Sequence, residues 1–226
     1  MNKALLRQGN KYSLDFDGIN DYVDCGGSAI LHGMDDLSIS IWVYPLSKSG
    51  TVFRGIIGKM GIAGQRAYEM HIRSDYIRFD TNDGVRVDTT DIKINEWQHI
   101  VVTRKRNGLQ KLFLNSIEKD SIAVPNNAIV SSTRNLGVGA YDIGSGFTRF
   151  FEGYLDKVRL YRRELSLNEI KMLYRGIEPS TVDLELSYDF KEGTGTSTKD
   201  LSGNNNNGTL ENGVAWSTDV PTWGGV

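Results

Sequence analysis

Apolar and polar residues alternate along much of this chain. In DLSISIWVYP (36–45), every second residue from 37 to 43 is aliphatic, the period of a β-strand with one buried side. WQHIVVTR (97–104) and LQKLFLN (109–115) repeat that period, and Arg106-Asn107-Gly108 between them is typical of a tight hairpin turn. The same pattern predicts strands at 12–16, 20–24, 52–59, 67–73, 75–80, 134–139, 150–161, 183–190 and 208–216.

One segment, SLNEIKMLYRG (166–176), has a helical period instead. Ser166 and Glu169 have the spacing of a capping box, and Gly176 is well placed to end the helix. Its buried stripe would contain Ile170, Leu173 and Tyr174. About a dozen short strands, 25 glycines for turns and one short helix predict an all-β sandwich or barrel.

Composition narrows the class of protein. A chain of 226 residues fits one large all-β domain or two small ones. Because Lys plus Arg number 26 against 28 Asp plus Glu, we expect no nucleic-acid partner. Cys25 is the only cysteine, so no intramolecular disulfide can form. The sequence shows no secretory signal and no run of about 20 apolar residues, so we expect no membrane partner.

Several motifs carry a resemblance to a known family. They are LDFDGINDYVD (14–24), SISIWVYP (38–45), IIGK (56–59), WQHIVVTR (97–104), LFLN (112–115), LGVG (136–139) and FEGYLDKVRLYRRELSLNEIKMLY (151–174). Over residues 12–176 the chain resembles the concanavalin A-like lectin/glucanase superfamily, in its bacterial and phage laminin-G-like branch. The resemblance implies a jelly-roll sandwich of two antiparallel sheets with one short helix.

The last part of the chain is out of the usual order. The segment YDFKEGTGTSTKDLSGNNNNGTLENGVAW (188–216) is similar to one that precedes the first strand in this family, but here it follows the last. Either residues 181–217 complete the same sandwich, as in a circular permutation of a single domain 1–226, or they begin a second repeat. We favour completion, with the asparagines as a polar turn between strands, because Leu184, Leu186, Tyr188 and Phe190 form an apolar face.

Catalytic residues are not evident. The family resemblance implies a Glu-x-Asp-x-x-Glu strand in glucanases, and the nearest carboxylates here, Asp183, Glu185 and Asp189, do not match it. We interpret those three as the solvated outer side of a strand. The histidines, His32, His71 and His99, lie in no nucleophile or zinc motif. The sequence therefore predicts a protein that is not an enzyme.

A structural calcium ion is the metal that the sequence favours. The resemblance implies a ligand at Asp156, while Asp17, Asn20 and Asp21 offer further hard oxygen atoms in a glycine turn. The alternative is that Asp156 and Asp17 only accept backbone hydrogen bonds in turns. DLSGNNNNGTLE has the ligand spacing of an EF-hand, but Asn205 replaces the required glycine, so we discount it.

The predicted ligand site lies in the glycine-rich segment AYDIGSGFTRF (140–150). Tyr141, Asp142, Phe147 and Arg149 offer the aromatic faces and polar groups that sugars need, whereas the family resemblance implies core positions for Trp42 and Trp97. The first hypothesis is a non-catalytic binding or adhesion module for carbohydrate or a cell-surface polymer, at an extracellular surface. A structural virion protein, with other virion or surface subunits as partners, comes second, and a glycoside hydrolase or lyase third.

Overall fold

The computed structural model describes residues 10–28, 34–48, 52–60, 67–127, 129 and 131–222. Within them the chain forms one helix and eighteen strands. The strands are β1 Ser13–Asp17, β2 Tyr22–Asp24, β3 Leu37–Pro45, β4 Arg54–Lys59, β5 Tyr68–Arg73, β6 Tyr76–Thr81, β7 Arg86–Thr89, β8 Gln98–Arg104, β9 Leu109–Leu114, β10 Ile117–Ala123, β11 Gly137–Val138, β12 Tyr141–Asp142, β13 Phe147–Thr148, β14 Glu152–Tyr161, β15 Leu184–Tyr188, β16 Ser197–Thr198, β17 Gly208–Glu211 and β18 Ala215–Ser217. The helix, α1, is Leu167–Tyr174.

Two large antiparallel sheets contain nearly all of these strands. The first has the order β10-β9-β8-β3-β14-β1-β18, with β15 also paired to β14. The second has the order β16-β17-β2-β11-β4-β5-β6-β7, and β12 with β13 forms a small separate ribbon. The predicted all-β jelly-roll sandwich with one short helix is confirmed.

The main core lies between the two sheets. The alternate apolar residues of β3, Leu37, Ile39, Ile41 and Val43, are all fully buried there, as the period of two predicts. They pack with side chains of the second sheet such as Met70 and Ile72 of β5. Strand β5 has the same alternation, so Glu69, His71 and Arg73 lie on the outer side of that sheet.

Helix α1 covers part of the outer face of the first sheet. Ser166 and Glu169 form the predicted capping box, and Ile170 and Leu173 are buried in a second apolar cluster. Tyr174 stacks on the outward-facing Trp42 of β3, with ring centroids 5.7 Å apart. The first sheet is thus buried on both sides where the helix crosses it.

The C-terminal segment pairs with strands of both sheets. Strand β15 pairs with β14, and β17 and β18 pair with β2 and β1 respectively. Leu186, Tyr188 and Phe190 join the main core. The predicted single strand 208–216 is instead two strands in different sheets, because Asn212 and Gly213 adopt positive φ angles and redirect the chain. Whether residues 181–217 represent a permutation stays a prediction.

The asparagine run belongs to the connection between β16 and β17 and covers the free edge of β15. Asp200 is buried there and accepts hydrogen bonds from the backbone N–H groups of Ser187 (3.0 Å) and Asn206 (3.0 Å). The side-chain amides of Asn204 and Asn206 donate to the carbonyl of Glu185. The connection is longer than the predicted tight turn because it satisfies backbone groups that an edge strand would leave open.

The outer side of β15 is not solvated, contrary to the sequence-based expectation. Glu185 and Asp189 are only 7% and 6% exposed. Arg162 pairs with Glu185, and Arg159, Lys157 and Lys191 surround Asp189. Alternation predicts two sides of a strand correctly, but it does not predict that loops and arginines cover the polar side. Asp183 lies just before β15 and is exposed.

Candidate functional site

Tyr141 packs against the outer face of the second sheet. Its ring is fully buried over Gly55 and Gly58 of β4, where an added Cβ would come within 3.0 Å and 2.7 Å of the ring. Its hydroxyl donates to the carbonyl oxygen of Met70. This burial corrects the expectation that Tyr141 presents a ring face to a ligand; it anchors the loop that carries the other predicted residues.

Asp142 and Phe147 lie farther along the same loop. Asp142 accepts hydrogen bonds from the backbone N–H groups of Gly144 (2.7 Å) and Asn135 (3.2 Å), so its carboxylate is engaged in holding turns. Phe147 is half-buried and stacks on Tyr22, with centroids 3.9 Å apart. Their role in ligand binding stays a prediction.

Arg149 lines a groove on the outer face of the second sheet. The groove has a volume of about 210 Å³, and we call it the arginine groove. Its lining consists of Phe53, Glu69, Arg73, Arg78, Asp80, Arg86 and Arg149. Pockets for drug-sized molecules are typically about 300 to 1,000 Å³, so this one would take a single sugar-sized group.

Register places the charged residues of the arginine groove beside one another. Glu69 on β5 lies opposite Asp80 on β6, which in turn lies opposite Arg86 on β7. The Arg86 Nε atom is 3.2 Å from Asp80 Oδ1, and Arg149 Nη1 is 3.6 Å from Glu69 Oε2. Paired strands, rather than a loop, therefore hold most of the lining.

His71 lies directly below the arginine groove and is 1% exposed. Its ring centroid is 4.7 Å from that of Phe53, and its Nδ1 is 3.9 Å from Asp80 Oδ2. Neither ring nitrogen has a hydrogen-bond partner among the described residues. Burial, with nearby Arg78, Arg149 and Arg73, lowers the pKa of His71 to about 3, so the imidazole is neutral at physiological pH.

Glu69, His71 and Asp80 each offer one possible metal-ligating atom, and these atoms lie within 4.8 Å of one another. The charges around them do not suit a cation, because both carboxylates face arginines and four guanidinium groups line the groove. A divalent ion would have to displace Arg149 and Arg86. We therefore regard this cluster as part of a polar site and not as a metal site.

Asp156 lies in a different, fully buried cluster on the outer side of the first sheet. Its Oδ1 accepts from the side-chain amide of Asn10 at 2.6 Å, and its Oδ2 has no hydrogen-bond partner among the described residues. The same Asn10 nitrogen is also 2.6 Å from the carbonyl oxygens of Tyr12 and Asp189. Burial raises the pKa of Asp156 to about 7.

The residues around Asp156 fit a hard cation such as calcium. An amide nitrogen has only two hydrogens, so three acceptors at 2.6 Å exceed what Asn10 can donate. Rotating that amide by half a turn would add Asn10 Oδ1, which also lacks a partner among the residues described, to the two carbonyls and the carboxylate. All of these donors are oxygen atoms, the ligand type that calcium prefers.

The structure does not bring Asp17, Asn20 and Asp21 to Asp156. Asp17 lies opposite Glu152, four residues along β14 from Asp156, which corresponds to about 13 Å. Asp17 Oδ1 accepts from the backbone N–H groups of Ile19 and Asn20, and Asp21 Oδ2 accepts from the backbone of Asp17. These contacts close a turn, so one calcium site formed by all four residues is ruled out by their separation.

His99 occupies a buried position on the first sheet, where its Nε2 is 2.8 Å from Ser40 Oγ. Its ring lies beside Trp42 and Tyr174 under α1. Burial lowers its pKa to about 3. His32 lies outside the described residues.

The sequence predicts Arg149 as a ligand residue but does not single out the other groove residues Phe53, Arg73, Arg78 and Arg86. A usable signal was present, because the polar residues Glu69, His71 and Arg73 alternate with the buried Met70 and Ile72. The pattern marks an outer face, yet only the strand register shows that several arginines meet there.

Comparisons with known proteins agree with this fold. The laminin-G-type model of the concanavalin A-like lectin/glucanases superfamily matches residues 17–171. No curated protein sequence matches the chain. No helix among the described residues is long and apolar enough to cross a membrane.

Three solved structures show the same fold. A candidate carbohydrate-binding protein from Bacteroides ovatus has a TM-score of 0.73 and 18% identity over 92% of this chain, which spans 60% of that protein. The heptameric SAP-like pentraxin of Limulus polyphemus has a TM-score of 0.63, 13% identity and coverage of 92% and 94%.

The third is the ligand-binding domain of botulinum neurotoxin serotype D, in complex with N-acetylneuraminic acid. Its TM-score is 0.53, with 15% identity, over 72% of this chain and 44% of that one. At these identities the structural similarity shows the fold alone. Because the family model matches more than half of the sequence, the chain belongs to the concanavalin A-like lectin/glucanases superfamily.

Proposed function

We propose that this protein is a non-catalytic carbohydrate-binding module and that its site is the arginine groove. The observation that carries the proposal is a half-exposed aromatic ring, Phe53, set among carboxylates and guanidinium groups on rigid strands. Planar charged groups bond sugar hydroxyls in a fixed geometry, and the Phe53 ring orients two of them, the guanidinium groups of Arg73 and Arg149. The names of the Bacteroides and neurotoxin structures, which mention carbohydrate binding and N-acetylneuraminic acid, support the same class of ligand.

A glycan array probed with the full chain, with and without calcium, tests this function. We expect retention of at least one glycan class, followed by measurable heat of binding in a calorimetric titration with that glycan. Failure to bind any glycan in either condition would contradict the proposal. A structural role in a virion stays a prediction, since none of the relatives named above concerns one.

Glycoside hydrolysis is the second candidate, and one observation favours it. Glu69 and Asp80 have carboxylate oxygens within 4.8 Å of each other, close to the spacing of roughly 5 to 5.5 Å in retaining enzymes. Each of them is an ion-pair partner of an arginine, however, whereas a general acid must carry a proton. We expect no release of reducing sugar from laminarin or xylan. Release that disappears in Glu69→Gln and Asp80→Asn would establish the enzyme instead.

We also propose calcium as a structural ion at Asp156, held with the carbonyl oxygens of Tyr12 and Asp189 and the side chain of Asn10. The unpartnered Asp156 Oδ2 supports it. A bound ion would offset a buried carboxylate charge and tie the chain before β1 to the segment after β15. The role of this ion is to stabilise the fold.

A further inference from the structure

The four guanidinium groups of the arginine groove differ in how closely they pair with carboxylates. Arg78 donates to Asp88 through Nε (3.0 Å) and Nη2 (2.7 Å), and Arg86 lies against Asp80. Within the described part of the chain, Arg149 pairs with a carboxylate only through the longer contact with Glu69 at 3.6 Å. Among the described residues, Arg73 has no carboxylate within ion-pairing distance.

Arg73 and Arg149 share the same aromatic ring. Their guanidinium carbons lie 4.5 Å and 4.4 Å from the ring centroid of Phe53. Stacking orients the planar guanidinium groups, but it leaves their N–H donors free for other partners. Two weakly compensated cations near one ring repel each other, and an anion between them would relieve that repulsion.

The excess of positive charge is local. The lining holds four arginines and two carboxylates, although the whole chain has a formal net charge of −2. His71 below adds no charge, because it is neutral. A neutral sugar would form hydrogen bonds in this groove but no ion pair with Arg73. An acidic sugar would form both kinds of contact.

We propose that the ligand of the arginine groove is an acidic sugar, whose carboxylate or sulfate group is held by Arg73 and Arg149 beside Phe53. This inference rests on the proposed carbohydrate-binding function and specifies its ligand class. Guanidinium groups bind both anions in a bidentate, charge-assisted geometry, so the two sources of negative charge share one recognition chemistry. Glu69 and Asp80, which pair with Arg149 and Arg86, complete the polar lining of the groove.

Matched pairs of glycans test the proposal with the full-length protein. The carboxylate pairs are sialyllactose with lactose and oligogalacturonate with its methyl ester, and the sulfate pair is a sulfated galactose oligosaccharide with its unsulfated form. In a calorimetric titration we expect the acidic member of at least one pair to bind at least about tenfold more tightly. That preference should shrink as salt rises from roughly 0.05 to 0.5 M.

Variants identify the residues responsible. Arg73→Gln and Arg149→Gln should each remove most of the acidic preference, while the Lys variants keep part of it. Arg106→Gln is the matched control, since Arg106 is an exposed arginine paired with Asp35 at the β8–β9 turn. Circular dichroism melting of each variant checks that the fold is retained.

Each outcome decides a different point. Equal binding of acidic and neutral partners would overturn the acidic-sugar inference while leaving the proposed function intact. Absence of binding to every glycan would overturn the proposed function itself. An acidic preference that persists in both Gln variants would show that the anion binds elsewhere on the molecule.

Discussion

The two sheets share one core but differ in what lies on their outer faces. The outer face of the first sheet is covered by α1 and by the segments around Asn10 and Asp189, so that Trp42 and Asp156 are buried. The outer face of the second sheet around β5, β6 and β7 has half-exposed or exposed arginines at its surface. The covered face stabilises the fold, and the open face carries the arginine groove that we propose as the binding site.

Removal of the C-terminal strands should lower the stability of the protein more than any other change. Truncation after Glu178 deletes β15 to β18 and the burial of Leu184, Leu186, Tyr188 and Phe190. At about 1.5 to 3 kcal/mol for each side chain, the loss is roughly 6 to 12 kcal/mol, comparable to the net stability of a domain. We expect insoluble or molten protein by circular dichroism. A truncated chain that melts as cooperatively as the full one would support the second-repeat interpretation.

Breaking the buried ion pairs of the covered face should cause the second-largest loss of stability. Arg159 contacts Asp189 and Glu178 and is almost completely buried. Replacing it with Leu leaves Asp189 buried with fewer partners, which costs about 3 to 5 kcal/mol in comparable cases. Urea denaturation measures the change. Arg73→Leu on the open face is the control and should change the free energy of unfolding by no more than about 0.5 kcal/mol.

Calcium should stabilise the covered face by a smaller amount. At a hundredfold excess over Kd, a bound ion adds about 2.7 kcal/mol to the free energy of unfolding, and EDTA should lower the Tm accordingly. Asp156→Asn should abolish this response, whereas Asp17→Asn should keep it. A response that is lost in Asp17→Asn and kept in Asp156→Asn would move the ion to the turn at 17–21.

Lowering the pH should destabilise the protein through its two buried histidines, one on each outer face. His71 and His99 have folded-state pKa values of about 3, below the usual 6.5, so unfolding takes up protons between these values. Their stabilising contribution is complete above pH 6.5 and is lost as pH falls toward 3. At pH 5.5 each histidine should lower the free energy of unfolding by about 1.4 kcal/mol. His71→Gln should reduce the loss between pH 7.5 and 5.5 by that amount, as measured by urea denaturation; an unchanged loss would contradict the burial of a neutral His71.

The sequence predicted elements that depend on local patterns. The alternation in β3 and the capping box at Ser166 are local, and both appear as expected. The polar side of β15 could not be predicted as buried, because its cover comes from Arg162, Arg159 and a loop beginning at Asp200. Arg149 is predicted as a ligand residue from a loop composition typical of sugar sites, but its neighbours in the groove come from three strands and a preceding loop.

The most direct test of the central claim compares one aromatic residue from each outer face. Phe53 lines the arginine groove, while Tyr154 is a half-buried ring that packs with Tyr44 and Trp97 on the first sheet. Glycan-array binding should be lost in Phe53→Ala and retained in Tyr154→Ala, with both variants folded by circular dichroism. Binding that survives Phe53→Ala and disappears in Tyr154→Ala would place the carbohydrate site on the opposite sheet and contradict this account.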